Sequence, residues 1–159
     1  MRVSTKLVKI IENSADELTK KWLTLVKHHP GTPTYHNYDE TSLYNRAYRV
    51  YSQLGNWLSS ETDKDFIARH YNALGARRRR EEFRLSEVIQ ALILTRRVLW
   101  LKVMSAGLLD SALELHLAME LNNQVSYFFD RATYFTAVGY EHGKLDEPEK
   151  LSLPPEFSL

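Results

Sequence analysis

The sequence predicts an all-α protein: a bundle of about five helices, closed by a long antiparallel hairpin of the last two. Three observations point there. The five prolines stand at positions 30, 33, 148, 154 and 155, leaving residues 34–147 without one, and proline inside a helix costs about 3 kcal/mol. Apolar residues recur at three- and four-residue steps along most of that span, the spacing of one helix face. No segment sustains the period-two alternation of a half-buried strand.

The first helix spans residues 4–28, with Leu7, Ile11, Ala15, Leu18, Trp22 and Leu25 on one face. HHPGTP ends it, and residues 35–40 read as a polar loop. Asp39 or Thr41 caps a second helix, whose seam is Leu43, Ala47, Val50, Leu54, Trp57 and Leu58, reaching about residue 60. Asp63 caps a third, with Phe66, Ile67, His70, Tyr71 and Leu74 on one side, ending near an arginine run. Ser86 caps the fourth, with Glu87 in its first turn, an apolar face of Leu85, Val88, Ile89, Leu92, Leu99, Trp100 and Val103, and Gly107 as its stop. Ser111 opens a fifth helix lined by Leu117, Leu121, Val125, Phe128, Ala132 and Phe135, as far as Gly139 or Glu141. Residues 1–142 thus form one helical domain and residues 143–159 a proline-containing, extended tail.

At 159 residues, 43% hydrophobic and 26% charged, the chain has the composition of an ordinary folded domain rather than a disordered one. The absence of cysteine excludes disulfides, a thiolate nucleophile and Cys-ligated zinc or iron–sulfur sites. The start lacks a signal-peptide pattern, and the most apolar run, VIQALILTRRVLWLKVM, is cut by Arg96 and Arg97. A cytoplasmic, non-membrane protein is expected. The net charge of +1 hides a partition. Residues 1–68 carry +1, residues 69–109 carry +6 (nine basic, three acidic), and residues 110–159 carry −6 (three basic, nine acidic). This polarity suits a charge-complementary contact within the chain, in a homodimer or with a partner, the acidic tail covering the basic patch being one form of it.

The cluster Arg77, Arg78, Arg79 and Arg80, with Arg84 beyond it, is a candidate partner-binding patch. The alternatives are a solvated helix end whose arginines serve orphan carbonyls, and a phosphate-binding nucleic-acid module. No helix-turn-helix, zinc-finger or RNP pattern accompanies the run. Arg96 falls in the apolar seam of the fourth helix, level with the Asn122–Asn123–Gln124 break and near Glu120. That placement predicts a polar layer across the bundle. It is either a network fixing helix register or a pocket in which Arg96, with Trp100, Asn123 and Gln124, holds a carboxylate or phosphate. The six histidines give no helical metal pair, and no metal site is expected. His70 shares a face with Phe66, Ile67 and Leu74, where a globin-type haem ligand would stand, although a lone histidine on such a face is more often a core residue. No GxSxG, P-loop, HExxH or GxGxxG motif occurs, so enzyme activity is not expected.

The segment LGARRRREEFRLSEVIQALILTRRVLWLKV (residues 74–103) resembles the central signature of the RsbRD N-terminal domain family of RsbT co-antagonist type. IIENSADELTKKWLTLV is similar to that family's first helix and FFDRATYFTAVGYE to its terminal aromatic helix. The resemblance implies a non-enzymatic sensory or regulatory domain of stress-response or two-component signalling. Its partner would be a kinase, a STAS protein or a phosphatase. It also implies a globin-like fold without haem as the alternative architecture, no cofactor, and no established ligand residues. Here the last helix leads into a tail rather than an output domain, so signalling is expected to pass through a separate protein. The expected mechanism is a shift in packing of the fourth and fifth helices.

Overall fold

The structure, a computed structural model, describes residues 5–59, 62–106 and 111–142, and every regular element among them is helical. The order is α1 (Thr5–Asn13), α2 (Ala15–His28), a 3₁₀ turn (Pro33–Asn37), α3 (Glu40–Ser52), α4 (Leu54–Leu58), α5 (Lys64–Arg80), α6 (Leu85–Ser105) and α7 (Ala112–Glu141). The all-α bundle follows the sequence reading, with seven helices instead of about five because two expected helices are broken. The first breaks at Ser14 (φ −101°, ψ 12°) and the second at Gln53 (φ −114°, ψ 22°). The breaks meet in space: the Gly55 N–H of α4 donates to Glu12 Oε2 at the end of α1, 2.8 Å away. A carboxylate there satisfies an orphan donor of the new helix start. The starting residue 4, the end at residue 60, the Gly107 stop and the tail lie outside the described residues.

Three caps stand where the sequence puts them. The side chains of Asp39, Asp63 and Ser111 accept from the backbone N–H groups of Ser42 (2.9 Å), Asp65 (3.0 Å) and Glu114 (3.1 Å). Thr41 lies inside α3, and Ser86 inside α6. The start of α6 is held instead by Glu87, whose carboxylate accepts the Arg84 N–H at 3.2 Å. Part of the expected 35–40 loop is the 3₁₀ turn, with Pro33 preset for its first position.

The end of α5 is a Schellman turn. Phe83 N–H donates to the Arg78 carbonyl and Glu82 N–H to that of Arg79, both at 3.0 Å, while Glu82 takes the left-handed conformation at φ 67°. The turn is anchored by Phe83, fully buried with ring centroids 4.5 Å from Tyr35 and 4.8 Å from Tyr38. Tyr140 on α7 donates its hydroxyl to the Phe83 carbonyl at 2.7 Å.

α7 packs on α6, but its main neighbour is α5. The two run in the same general direction. Arg131, two-thirds of the way along α7, donates to the Lys64 carbonyl (3.0 Å) at the start of α5, and Arg79 donates to the Tyr140 carbonyl (2.9 Å) near both ends. Between these ties the backbones touch. A Cβ on Gly75 would fall 2.7 Å from Tyr140 N and closer still to the Thr136 carbonyl. A Cβ on Gly139 would fall 2.6 Å from Asn72 C and closer still to its oxygen. Only glycine permits that approach. Ala68, Asn72, Gly75 and Ala76 face Ala132, Thr136 and Gly139 as buried, small-sided surfaces.

α6 lies between α2 and α7, so its buried face is broad: Val88, Ala91, Leu94, Thr95, Val98, Leu99 and Val103. Leu92 and Trp100 are only partly buried at its margin. Among the described residues no helix is long and apolar enough to cross a membrane.

Candidate functional site

A cleft of about 90 Å³ opens between α2, α3, α5 and α6. Its inner walls are apolar and aromatic, including Trp22, Tyr35, Val50, Trp57, Tyr71 and Leu74. Four guanidinium groups line it: Arg46 and Arg49 from α3, and Arg77 and Arg78 from the last turn of α5. The i, i+3 spacing puts the first two on one side of α3, beside its core residue Ala47. The Schellman turn fixes where the last turn of α5 ends. Arg49 and Arg77 are exposed, so they mark the mouth, whereas Arg78 is 5% exposed and belongs to the interior.

The frame around the cleft is tied by long-range bonds. The Trp22 indole N–H donates to the Ala91 carbonyl (3.1 Å), and the Tyr51 hydroxyl to that of Thr95 (2.9 Å). Buried Glu87 accepts from Thr34 N–H (2.6 Å) and Thr34 Oγ1 (2.7 Å), fastening the 3₁₀ turn to α6.

Positive charge exceeds negative charge here. Glu81 accepts from Arg46 Nη2 at 2.8 Å and from Arg78 Nη1 at 3.1 Å, so one carboxylate serves two guanidiniums. Arg46 also reaches the Tyr38 hydroxyl (3.4 Å) and sits 5.1 Å from the centroid of that ring. Its Nη1 is buried without a hydrogen-bond partner among the described residues. Arg49 and Arg77 have no ion pair or side-chain hydrogen bond among the described residues. Burial, reinforced by Arg46, lowers the pKa of Arg78. Burial, then Arg77, Arg49 and Arg78, push that of His70 down to about 4, so its ring is neutral near pH 7.

The arginine run does not present a row of phosphate contacts. Arg78 turns inward to Glu81. Arg79 caps α7, donating to the Tyr140 carbonyl at 2.9 Å with its guanidinium 5.5 Å from the Tyr140 ring centroid. Arg77, Arg80 and Arg84 are exposed, and of these Arg77 lines the cleft. Successive residues on a helix point 100° apart, which scatters a run that looks continuous in sequence.

The polar layer expected at Arg96 is not formed. Arg96 is half-buried beside the seam and has no hydrogen bond or ion pair among the described residues. Glu120 pairs with His116 at 3.0 Å. Asn122 and Asn123 are exposed, and Gln124 lines a separate cavity of about 180 Å³ with Trp57, Lys64 and Tyr127. Trp100 packs partly on the core, and none of Arg96, Trp100, Asn123 and Gln124 lines the arginine cleft. α6 and α7 still pack together, but the main neighbour of α7 is α5.

The fit of a haem at His70 can be judged from its surroundings. The imidazole centroid lies 4.8 Å from that of Tyr71, 5.1 Å from Trp57 and 6.1 Å from Phe66. His70 borders both the cleft of about 90 Å³ and a second cavity of about 340 Å³ that Arg49, Trp57 and Phe66 also line. Packed among three aromatic rings, it is a partly buried side chain at the edge of the core. Among the described residues, no group of three His, Asp or Glu side chains could hold a metal ion.

Sequence reasoning missed Arg46 and Arg49. Their signal is two cations three residues apart, flanking the Leu43–Ala47–Val50 seam, with few acidic neighbours on α3. No protein-family model, curated protein or solved structure matches this chain.

Proposed function

We propose that the chain is a cytoplasmic, non-enzymatic sensory domain of bacterial signal transduction, of the RsbRD N-terminal type, acting by helix repacking and by binding a separate signalling protein. The observation that carries this reading is the double role of α5. It forms a wall of the arginine cleft, and it lies in backbone contact with α7 at Gly75 and Gly139. Closely packed backbones have little freedom to slide independently. A change at His70, Tyr71 or Arg77 in the cleft therefore reaches residues 136–140 of α7 through rigid contacts. This moves the switch from the α6–α7 pair to the α5–α7 pair.

A surface suited to a protein partner lies on either side of the α6–α7 connection. Leu101 and Met104 near the end of α6, and Leu113, Leu115 and Met119 at the start of α7, are 50–67% exposed. Exposed apolar side chains in such number at two helix ends are the kind of surface that contact sites use. The partner class is a kinase, a STAS protein or a phosphatase. The test is calorimetric titration of the full chain with the kinase, STAS protein and phosphatase encoded nearest to it. One of them is expected to bind, and Met119→Glu is expected to abolish binding while leaving the circular dichroism spectrum unchanged. Binding by none of the three, or binding indifferent to Met119→Glu and Leu115→Glu, contradicts the reading.

A further inference from the structure

The arginine cleft has the composition of a binding site for an organic anion. Three features set its chemistry. The first is charge: of the four guanidiniums, two, Arg46 and Arg78, share the carboxylate of Glu81. Arg49 and Arg77 at the mouth are left without a counter-ion among the described residues, and Arg46 Nη1 is left without an acceptor. Like charges held together in a partly desolvated site repel more strongly than in water, so the site gains most from an added negative charge. The second is the inner wall. Val50, Leu74 and Leu92 offer carbon surface only, and the indole N–H groups of Trp57 and Trp22 are already given to the Arg49 and Ala91 carbonyls. Inorganic phosphate would lose its hydration against that wall without return. The third is size. The cleft itself holds about 90 Å³, less than the roughly 150 Å³ that accommodates benzene, and a neighbouring cavity of about 340 Å³ shares its Arg49, Trp57 and His70 wall, so a short aliphatic chain is the occupant that fits the cleft alone.

We propose that this cleft binds a short-chain aliphatic monocarboxylate, its carboxylate taken by Arg49 and Arg77 with Arg46 behind them and its alkyl part against Trp57 and Val50. The arrangement repeats what Glu81 already does within the chain, a carboxylate accepting from two guanidiniums. This identifies the signal class for the sensory reading above and rests on that reading only for its consequence, not for the binding itself. Glu81 and the incoming carboxylate share Arg46, so binding bears directly on the Arg46–Glu81–Arg78 link that joins α3 to the end of α5.

The experiment is titration of the full-length chain with isobutyrate, followed by calorimetry and by the fluorescence of Trp22 and Trp57, which line the cleft. Binding is expected with a Kd of about 1 mM or tighter, given so few ligand atoms. Arg49→Gln and Arg77→Gln should each weaken it about tenfold without lowering the melting temperature, because neither side chain makes an internal bond that the variant would lose. Isobutyramide, the neutral isostere, should bind at least tenfold more weakly. Benzoate and inorganic phosphate should bind more weakly than isobutyrate. The proposal is overturned if isobutyrate does not bind, if the two arginine variants bind it as the parent does, if the amide binds equally well, or if phosphate or benzoate binds better. Hydrogen exchange in α7 separates the two readings. Isobutyrate binding that leaves residues 136–140 unchanged supports the ligand and defeats the sensory coupling. Absent isobutyrate binding with partner binding intact defeats the ligand alone.

Discussion

Replacing Gly139 by alanine tests the contact on which signal transfer depends. The new Cβ would lie 2.6 Å from the Asn72 carbonyl carbon. Non-bonded carbon atoms settle at about 3.5–4.0 Å, so α5 and α7 must part by roughly 1 Å or more. The obstacle is backbone, which cannot swing aside as a side chain does. A gap of that size forfeits a quarter to a half of the dispersion attraction at each contact it opens, and overpacking of this kind costs about 1–3 kcal/mol, occasionally more. Against this stands the helix propensity of alanine, better than glycine by about 1 kcal/mol. With Ala132, Phe135 and Thr136 all buried along the same seam, the upper end of that cost applies and we expect a net loss of about 2 kcal/mol, which lowers Tm by roughly 4–8 °C in a chain of this length. Gly55→Ala is the control. Its nearest obstacle is Glu12 Oε2 at 3.0 Å, the end of a flexible side chain, and its effect should stay within about 1 kcal/mol. The assay is urea and thermal unfolding followed by circular dichroism at the helical band. A Gly139→Ala variant within 1 kcal/mol of the parent would refute the backbone contact and the coupling built on it.

Other substitutions probe the supports of the cleft. Glu82→Gly relieves a left-handed residue at the end of α5 (φ 67°) and should stabilise by about 1 kcal/mol in urea unfolding. Glu87→Ala strands the Thr34 N–H and hydroxyl it now accepts, and should cost about 3 kcal/mol by the same method. His70 has its pKa held at about 4 by burial and by Arg77, Arg49 and Arg78, below the ordinary value of about 6.5. The unfolded chain therefore takes up a proton that the folded chain refuses, and stability falls as pH drops from about 6.5 to about 4, then levels off. His70→Gln should remove about 2 kcal/mol of that fall, after allowance for the ring's partial exposure. Parallel pH curves for parent and variant would show that His70 does not report the arginine field.

The helices were legible because their signals are local. Asp39, Asp63 and Ser111 cap helices from the positions that sequence alone assigns, and the apolar spacing of residues 112–141 marks one long helix. The breaks at Ser14 and Gln53 were not legible, since the bond between Glu12 and Gly55 joins residues 43 positions apart. Gly139 shows the same limit differently. Near a helix end, glycine reads as a stop signal, yet here it lies inside α7 and serves contact with Asn72. The better signal was paired spacing: Ala68, Asn72 and Gly75 on α5 match Ala132, Thr136 and Gly139 on α7. The candidate site was half legible. Arg77 and Arg78 stand out as part of a run, but their companions Arg46 and Arg49 sit about thirty positions earlier and join them only across the cleft, where Arg46 and Arg78 share Glu81. The Arg96 layer was drawn from the α6–α7 pairing alone, whereas α7 takes α5 as its main neighbour.

The most direct test of the account is a ¹⁵N–¹H chemical-shift titration of the full chain with isobutyrate. The account predicts that the indole signals of Trp22 and Trp57 in the cleft, and the amide signals of Asn72, Thr136, Gly139 and Tyr140 at the α5–α7 contact, shift together with one midpoint. No shift at the cleft, or shifts confined to the cleft with α7 unmoved, would contradict it.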